Sequence, residues 1–181
     1  MPSIGHLAVG LAAGRWGASP MSPRPMLWTS VLVAASYLPD ADVVAFKLGI
    51  PYGAAYGHRG ALHSLGAALA LALLAGILAG LARASPWRVG LAIGLVLASH
   101  GLLDTLTDGG RGIAVLWPVS DHRFFSPWRP IPVALIGLDI LKPRGLRLML
   151  YEALLFLPFF VLGAWPRARR ERARQRSKPS A

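Results

Sequence analysis

Two uninterrupted apolar runs dominate the chain, Ala61 to Ala82 and Trp87 to about Leu106, each long enough to cross a hydrocarbon core of about 30 Å as a helix. A third, Leu146 to Trp165, carries Glu152 and is interrupted by Pro158, which a membrane helix tolerates. Nearer the start, Ile4 to Ala13 is short. Met26 to Phe46 spans only if its helix continues through Pro39-Asp40-Ala41-Asp42, and a broken helix at membrane depth usually lines a site. The pattern predicts an all-α polytopic membrane bundle of about five hydrophobic helices, residues 1–165, followed by a basic, disordered cytoplasmic tail, 166–181. Between Gly109 and Gly145 runs a Trp- and Pro-rich connection, a candidate lid, whose apolar part IPVALIGLDIL has the composition of a re-entrant or interfacial helix.

Alternating the helices up and down brings polar residues from distant positions to one level. His6, Asp40, Asp42, His58, His63, His100 and Asp104 all fall near the same ends of their helices. Composition agrees with lipid as the main solvent: 54% of the 181 residues are hydrophobic, 15% are charged, and the mean hydropathy is +0.49. Cysteine is absent, so a metal would be held by histidine and carboxylate alone. The first residues lack a basic start and a clear cleavage site, so the N-terminal helix is expected to be retained.

The net charge of +11 does not describe a nucleic-acid face, because seven of the 19 basic residues follow Trp165 and the others are not interleaved with aromatics. Arg15, Arg24, Arg83, Arg88 and the tail lie on one side and eight basic residues on the other, which favours N-out, C-in with the polar layer extracytoplasmic.

In SHGLLDTLTD, His100 and Asp104 stand four apart on a helix and share a face, so both can reach one ion. The plainer reading is a hydrogen-bonded pair locking two helices. In GHRGALHS, His58 and His63 bracket a bend. Both can point inward, or His63 can coordinate while His58 binds substrate or a carboxylate, the division we favour. Arg59 between them suits a phosphate or carboxylate oxygen, and equally a lipid headgroup. In YLPDADVV, Asp40 directly after Pro39 is the better ligand. Asp42 suits a supporting contact, a second ion or the general base, and capping aspartates are the competing explanation. His6 gains weight from its level in the membrane. Asp108, Asp121, His122 and Asp139 in the connection are set aside as solvated, and Glu152 is a candidate partner for an arginine or histidine. Mixed nitrogen and oxygen donors without sulfur fit Zn²⁺, with Mn²⁺ second, as one or two ions that would activate water for hydrolysis.

At these residues the chain resembles the YdjM-type family of predicted membrane-bound metal-dependent hydrolases, through His6, LPDAD, HRGALHS, HGLLD and LWP over about residues 6 to 118. Leu62 departs from the threonine usual in the third motif. More distantly, the order of histidines and aspartates is similar to that of zinc phospholipase C and single-strand nucleases, although their second His-x-x-x-Asp is missing. The resemblance implies a bacterial inner-membrane enzyme with His6, Asp40, His63, His100 and Asp104 at the metal and Asp42, His58 and Arg59 at the chemistry. It further implies phosphoester hydrolysis of an anionic or phosphate-bearing membrane lipid. An ion-binding or transport protein and a scaffold with a structural metal would use the same cluster. Transport fits less well, because the far halves of the two longest runs hold almost no polar residues.

Overall fold

The computed structural model describes residues 3–21, 25–133, 135 and 137–164; the basic tail 166–181 lies outside them. The described chain is helical: α1 (Ser3–Met21), α2 (Pro25–Tyr37), α3 (Val44–Lys47), α4 (Leu65–Leu81), α5 (Pro86–Thr105), α6 (Pro143–Leu155) and α7 (Leu157–Ala164). Two isolated bridges, Thr107 with Ile131 and Ile113 with Phe124, are the β pairing among the described residues.

Two helical hairpins make the frame. α1 packs on α2, α4 on α5, and α2 joins the two by lying on α5, while α7 covers α1. Small residues set how closely the helices approach. A Cβ on Gly14 would come 2.7 Å from the Thr29 Cα, and one on Gly90 would come 2.9 Å from the Ala72 carbonyl oxygen, spacing that suits helices associating by van der Waals contact in lipid. Trp28, Leu32 and Ala35 of α2 meet Ala68 of α4 and Ile93, Val96 and Leu97 of α5 in the larger apolar core. The outward faces are equally apolar. Leu69, Leu73 and Ile77 on α4 are each about three-fifths exposed (61–62%), an arrangement costly in water and neutral in hydrocarbon.

Among the described residues, five clear spans are not confirmed. α5, with 20 residues, is the one described helix both long and apolar enough to cross a membrane by itself, and α6 with α7 passes together as a pair bent by 65°. α4 is shorter than its apolar run because Ala61–His63 forms a 3-10 turn and Ser64 caps the helix, its side chain accepting a hydrogen bond from the Ala67 amide at 3.0 Å. The break in α6–α7 falls at Phe156, two residues before Pro158, whose missing N–H cannot continue the ladder. Conversely, the chain does continue through Pro39-Asp40-Ala41-Asp42, as a 3-10 turn (Leu38–Val43) between α2 and α3. α1 is also longer than the ten-residue apolar stretch that marks it in the sequence.

The connection after α5 folds back over the polar end. Ala114 N–H donates to the Arg59 carbonyl (3.1 Å), Leu65 N–H to Val115 (3.0 Å) and Asp108 N–H to Ile131 (2.9 Å). Its segment Gly137–Leu141 forms a 3-10 turn, and no longer helix lies between Gly109 and Gly145 among the described residues. A candidate lid is thus fastened at several points.

Candidate metal centre

His6, Asp40, Asp42, His58, His63, His100 and Asp104, spread over a hundred positions, are all buried in one layer at the end of the two hairpins. Four of them, Asp40, His63, His100 and Asp104, present ligand atoms that all lie within 4.8 Å of one another. Asp40 comes from the 3-10 break after α2, His63 from the turn ahead of α4, and His100 and Asp104 from successive turns of α5. His63 Nε2 stands 3.1 Å from His100 Nε2, 3.3 Å from Asp40 Oδ1 and 3.6 Å from Asp104 Oδ2. Asp40 Oδ1 is 3.4 Å from His100 Nε2. Donors held at about 2.0–2.1 Å around a tetrahedral ion stand about 3.3 Å apart, so the spacings are those of a coordination shell.

The outer nitrogen of one imidazole is fixed by an acceptor. His100 Nδ1 lies 2.7 Å from the Ser36 carbonyl, which can only accept, so the proton belongs on Nδ1 and Nε2 carries a lone pair. His63 Nδ1 stands 3.1 Å from Asp42 Oδ2, within reach of its charge but without a hydrogen bond. His100 Nε2 then aims its lone pair at His63 Nε2, 3.1 Å away beside two carboxylates, a place that takes a cation: a proton on His63 or a metal ion. Burial opposes a charge on His63, but the carboxylates of Asp40 and Asp42 outweigh it and raise its pKa to about 9. Asp40 Oδ1 is buried and makes no hydrogen bond despite its close neighbours. These donors fit a hard-to-borderline divalent ion such as Zn²⁺.

Glycine makes the close approach possible. A Cβ on Gly101 would come 2.1 Å from the His63 carbonyl oxygen, so the residue after His100 must lack a side chain for His63 to reach across.

Asp42 is occupied differently from Asp40. Its Oδ1 binds His58 Nδ1 at 2.5 Å, and its Oδ2 accepts from the Arg59 amide at 3.0 Å as well as facing His63. His58 therefore engages a carboxylate. Asp42 and His58 do join Asp40 and His63 in a second set of donors within 4.8 Å, which shares two members with the first. His6 lies beside the first set, stacked on His100 at 3.6 Å between centroids, with Nε2 at 3.4 Å from Asp104 Oδ1. The Arg59 guanidinium is buried with Nε at 3.3 Å from Asp104 Oδ2.

Some residues behave otherwise than the sequence suggests. Glu152 meets neither arginine nor histidine in a hydrogen bond; its Oε2 accepts from the Ile4 amide at 2.9 Å and caps the first turn of α1, the turn that carries His6. Asp108 and Asp139, by contrast, are exposed as the sequence suggests, Asp139 paired with Lys142 and Asp108 accepting from the Val133 amide at 2.7 Å. Ser36 contributes through its carbonyl, which leaves no mark in a sequence. Arg123, one basic residue among many in the sequence, donates to the carbonyls of Tyr52, Ala54, His58, Arg59 and Gly112 and ties the histidine loop to the connection.

A cavity of about 350 Å³ opens beside Asp42, lined by Tyr56, Gly57, Ala61, Leu62, Ala67 and Trp117. Its walls are apolar apart from that carboxylate and the tyrosine hydroxyl.

The profile of the YdjM inner membrane protein family matches residues 1–170. The inner membrane protein YbcI of Escherichia coli (strain K12) is 41% identical over 167 residues, which cover 90% of this chain and 95% of that protein. No solved structure matches the chain.

Proposed function

The chain belongs to the YdjM family of inner membrane proteins, and on that premise we propose that it is a membrane-bound metal-dependent hydrolase acting on a phosphoester of a lipid or lipid-linked substrate. The observation that carries the reading is the convergence of four buried donors from three separate elements, with two imidazole nitrogens 3.1 Å apart. Asp40, His63, His100 and Asp104 would hold Zn²⁺ or Mn²⁺. Such an ion, when bound, supplies a Lewis acid and brings the pKa of water toward about 7.

The chain's own groups divide the remaining work. Asp42 holds His63 and His58 in their orientations, as carboxylates behind metal-binding histidines do. Asp42, whose Oδ1 binds His58 Nδ1, is the carboxylate placed to act as general base, with His58 beside it for the substrate. His6 positions Asp104 from the side. The apolar cavity next to Asp42 suits the chain of an amphiphile whose polar head enters the layer. The distribution of basic residues supports an orientation with the C-terminus cytoplasmic and the layer extracytoplasmic.

One observation favours a second reading, a structural ion. Four protein donors, each no more than 9% exposed, make a closed shell, and catalytic zinc keeps a position open. Phosphodiesterase assay of the metal-loaded chain in mixed phospholipid vesicles separates the two. Turnover lost in His58→Ala with the metal retained supports the hydrolase. Stoichiometric metal without turnover on any phospholipid leaves the structural ion.

A further inference from the structure

Arg59 is the largest of the fully buried side chains among the described residues, 1% exposed. Its backbone has φ = +63°, the left-handed region that costs a non-glycine residue about 1 kcal/mol or more. Three contacts impose this conformation. The amide donates to Asp42 Oδ2 at 3.0 Å, and the carbonyl accepts from the Ala114 amide at 3.1 Å and from Arg123 Nη1 at 3.2 Å. The strain aims the guanidinium inward, where Nη1 donates to the Gly109 carbonyl at 2.7 Å and Nε lies against Asp104.

Room for it is built into the connection. Gly110 has φ = +91°, and a Cβ there would come 2.5 Å from Arg59 Nη1 and 2.9 Å from the Tyr52 hydroxyl. Despite this housing, Nε and Nη2 are both buried without a hydrogen-bond partner, Nε having only the charge of Asp104 opposite it. Nε–H and the adjacent Nη2 share one edge of the guanidinium fork, so the unused donor lies on the edge that faces Asp104 and the metal-binding layer. Leaving a charged donor unpaired inside a protein is expensive. Two further arginines flank the Tyr52 ring beside it, while Asp40, Asp42 and Asp104 make the layer itself acidic. Arg111 and Arg123 both stand 5.9 Å from the Tyr52 ring, and neither pairs with a carboxylate among the described residues.

We propose that Arg59 is an oxyanion-binding residue whose Nη2 takes a phosphoryl oxygen beside Asp104, so that the ligand of this layer is a tetrahedral phosphate group, whether free or on a lipid head. This deepens the hydrolase reading and rests on it for the neighbouring ion, but the anion site is defined by the arginine and can be measured without one. Arg59 has two jobs on one edge: Nε faces the Asp104 carboxylate at 3.3 Å by charge, and Nη2 answers the ligand.

The test uses the full chain in detergent, as wild type, Arg59→Lys, Arg59→Gln and the exposed control Arg129→Gln, with metal content and melting temperature recorded for each. Inorganic phosphate affinity is measured by calorimetry on metal-free and zinc-loaded protein, and vesicles of phosphatidic acid against phosphatidylcholine separate free phosphate from a phosphate-bearing head. Wild type and Arg129→Gln should bind phosphate alike, and Arg59→Gln about 10-fold or more weaker. Arg59→Lys, which keeps the charge against Asp104 and so guards against misfolding, should also bind more weakly because it lacks the fork. Equal phosphate affinity in wild type and folded Arg59→Lys, or no phosphate binding to wild type in either metal state, overturns the proposal. Loss of zinc from wild type with phosphate binding intact would sink the metal reading and leave this one standing.

Discussion

On α5 the residues Ile93, Leu97, His100 and Asp104 follow one another along a single buried face, and the character of that face changes between the second and third. In the first half, Ile93 and Leu97 pack with Trp28, Leu32 and Ala68, contacts for which shape and volume are the whole specification. Over the next two turns, each side chain has named polar neighbours: His100 the Ser36 carbonyl and His63, Asp104 the Arg59 guanidinium and His6. A buried apolar stripe tolerates repacking, whereas a buried polar layer fails when one partner is removed, because each unpaired group keeps its desolvation cost. The contrast teaches where this molecule places its specificity: at one end of its helices, with the shafts as support.

The largest effect should come where the two halves meet. Gly101→Ala places a Cβ 2.1 Å from the His63 carbonyl, and backbone cannot yield as a side chain does. We expect a loss of about 3 kcal/mol or more in stability, or displacement of His63 with loss of metal binding, read by thermal melting and metal titration. Next, Asp42→Asn keeps the size of a side chain that orients His63 and His58 and should weaken metal binding about 10- to 100-fold without unfolding the chain. Unchanged affinity would show that the outer nitrogens need no acceptor.

Smaller again is Glu152→Ala, which uncaps the turn bearing His6 and should cost about 1–2 kcal/mol in melting experiments, with Glu152→Gln restoring most of it because a carboxamide oxygen also accepts from the Ile4 amide. In the shaft, Gly90→Ala brings a methyl 2.9 Å from the Ala72 carbonyl and should cost about 1 kcal/mol. Leu73→Met on the lipid-facing side of α4 should stay within about 0.5 kcal/mol. A shaft substitution more damaging to metal binding than Asp42→Asn would break the division.

Much of the polar layer is legible in the chain because helix alternation is a strong constraint: His6, Asp40, Asp42, His58, His63, His100 and Asp104 reach one level through it. The i, i+4 spacing of His100 and Asp104 on an apolar run is readable directly. Roles are less so. Asp40 and Asp42 sit two apart in the same motif, and only the 3-10 geometry of Leu38–Val43 sends one to His63 Nε2 and the other to Nδ1 and His58. Ser36 acts through a carbonyl and Glu152 through a distant helix terminus, neither of which has a local pattern. The number of spans is less legible, because hydropathy does not see Ser64 end the turn at Ala61–His63, nor the bend of 65° between α6 and α7.

The central claim is that the layer holds a metal ion on Asp40, His63, His100 and Asp104. Its most direct test is elemental analysis of the full chain purified in detergent without added chelator, alongside folded His100→Ala and Asp104→Asn. The account predicts a stoichiometric divalent ion in wild type and its loss, or a fall in affinity of about 100-fold or more, in both variants. Metal retained at wild-type stoichiometry and affinity in both variants, or none bound by wild type even when Zn²⁺ and Mn²⁺ are supplied, would contradict it.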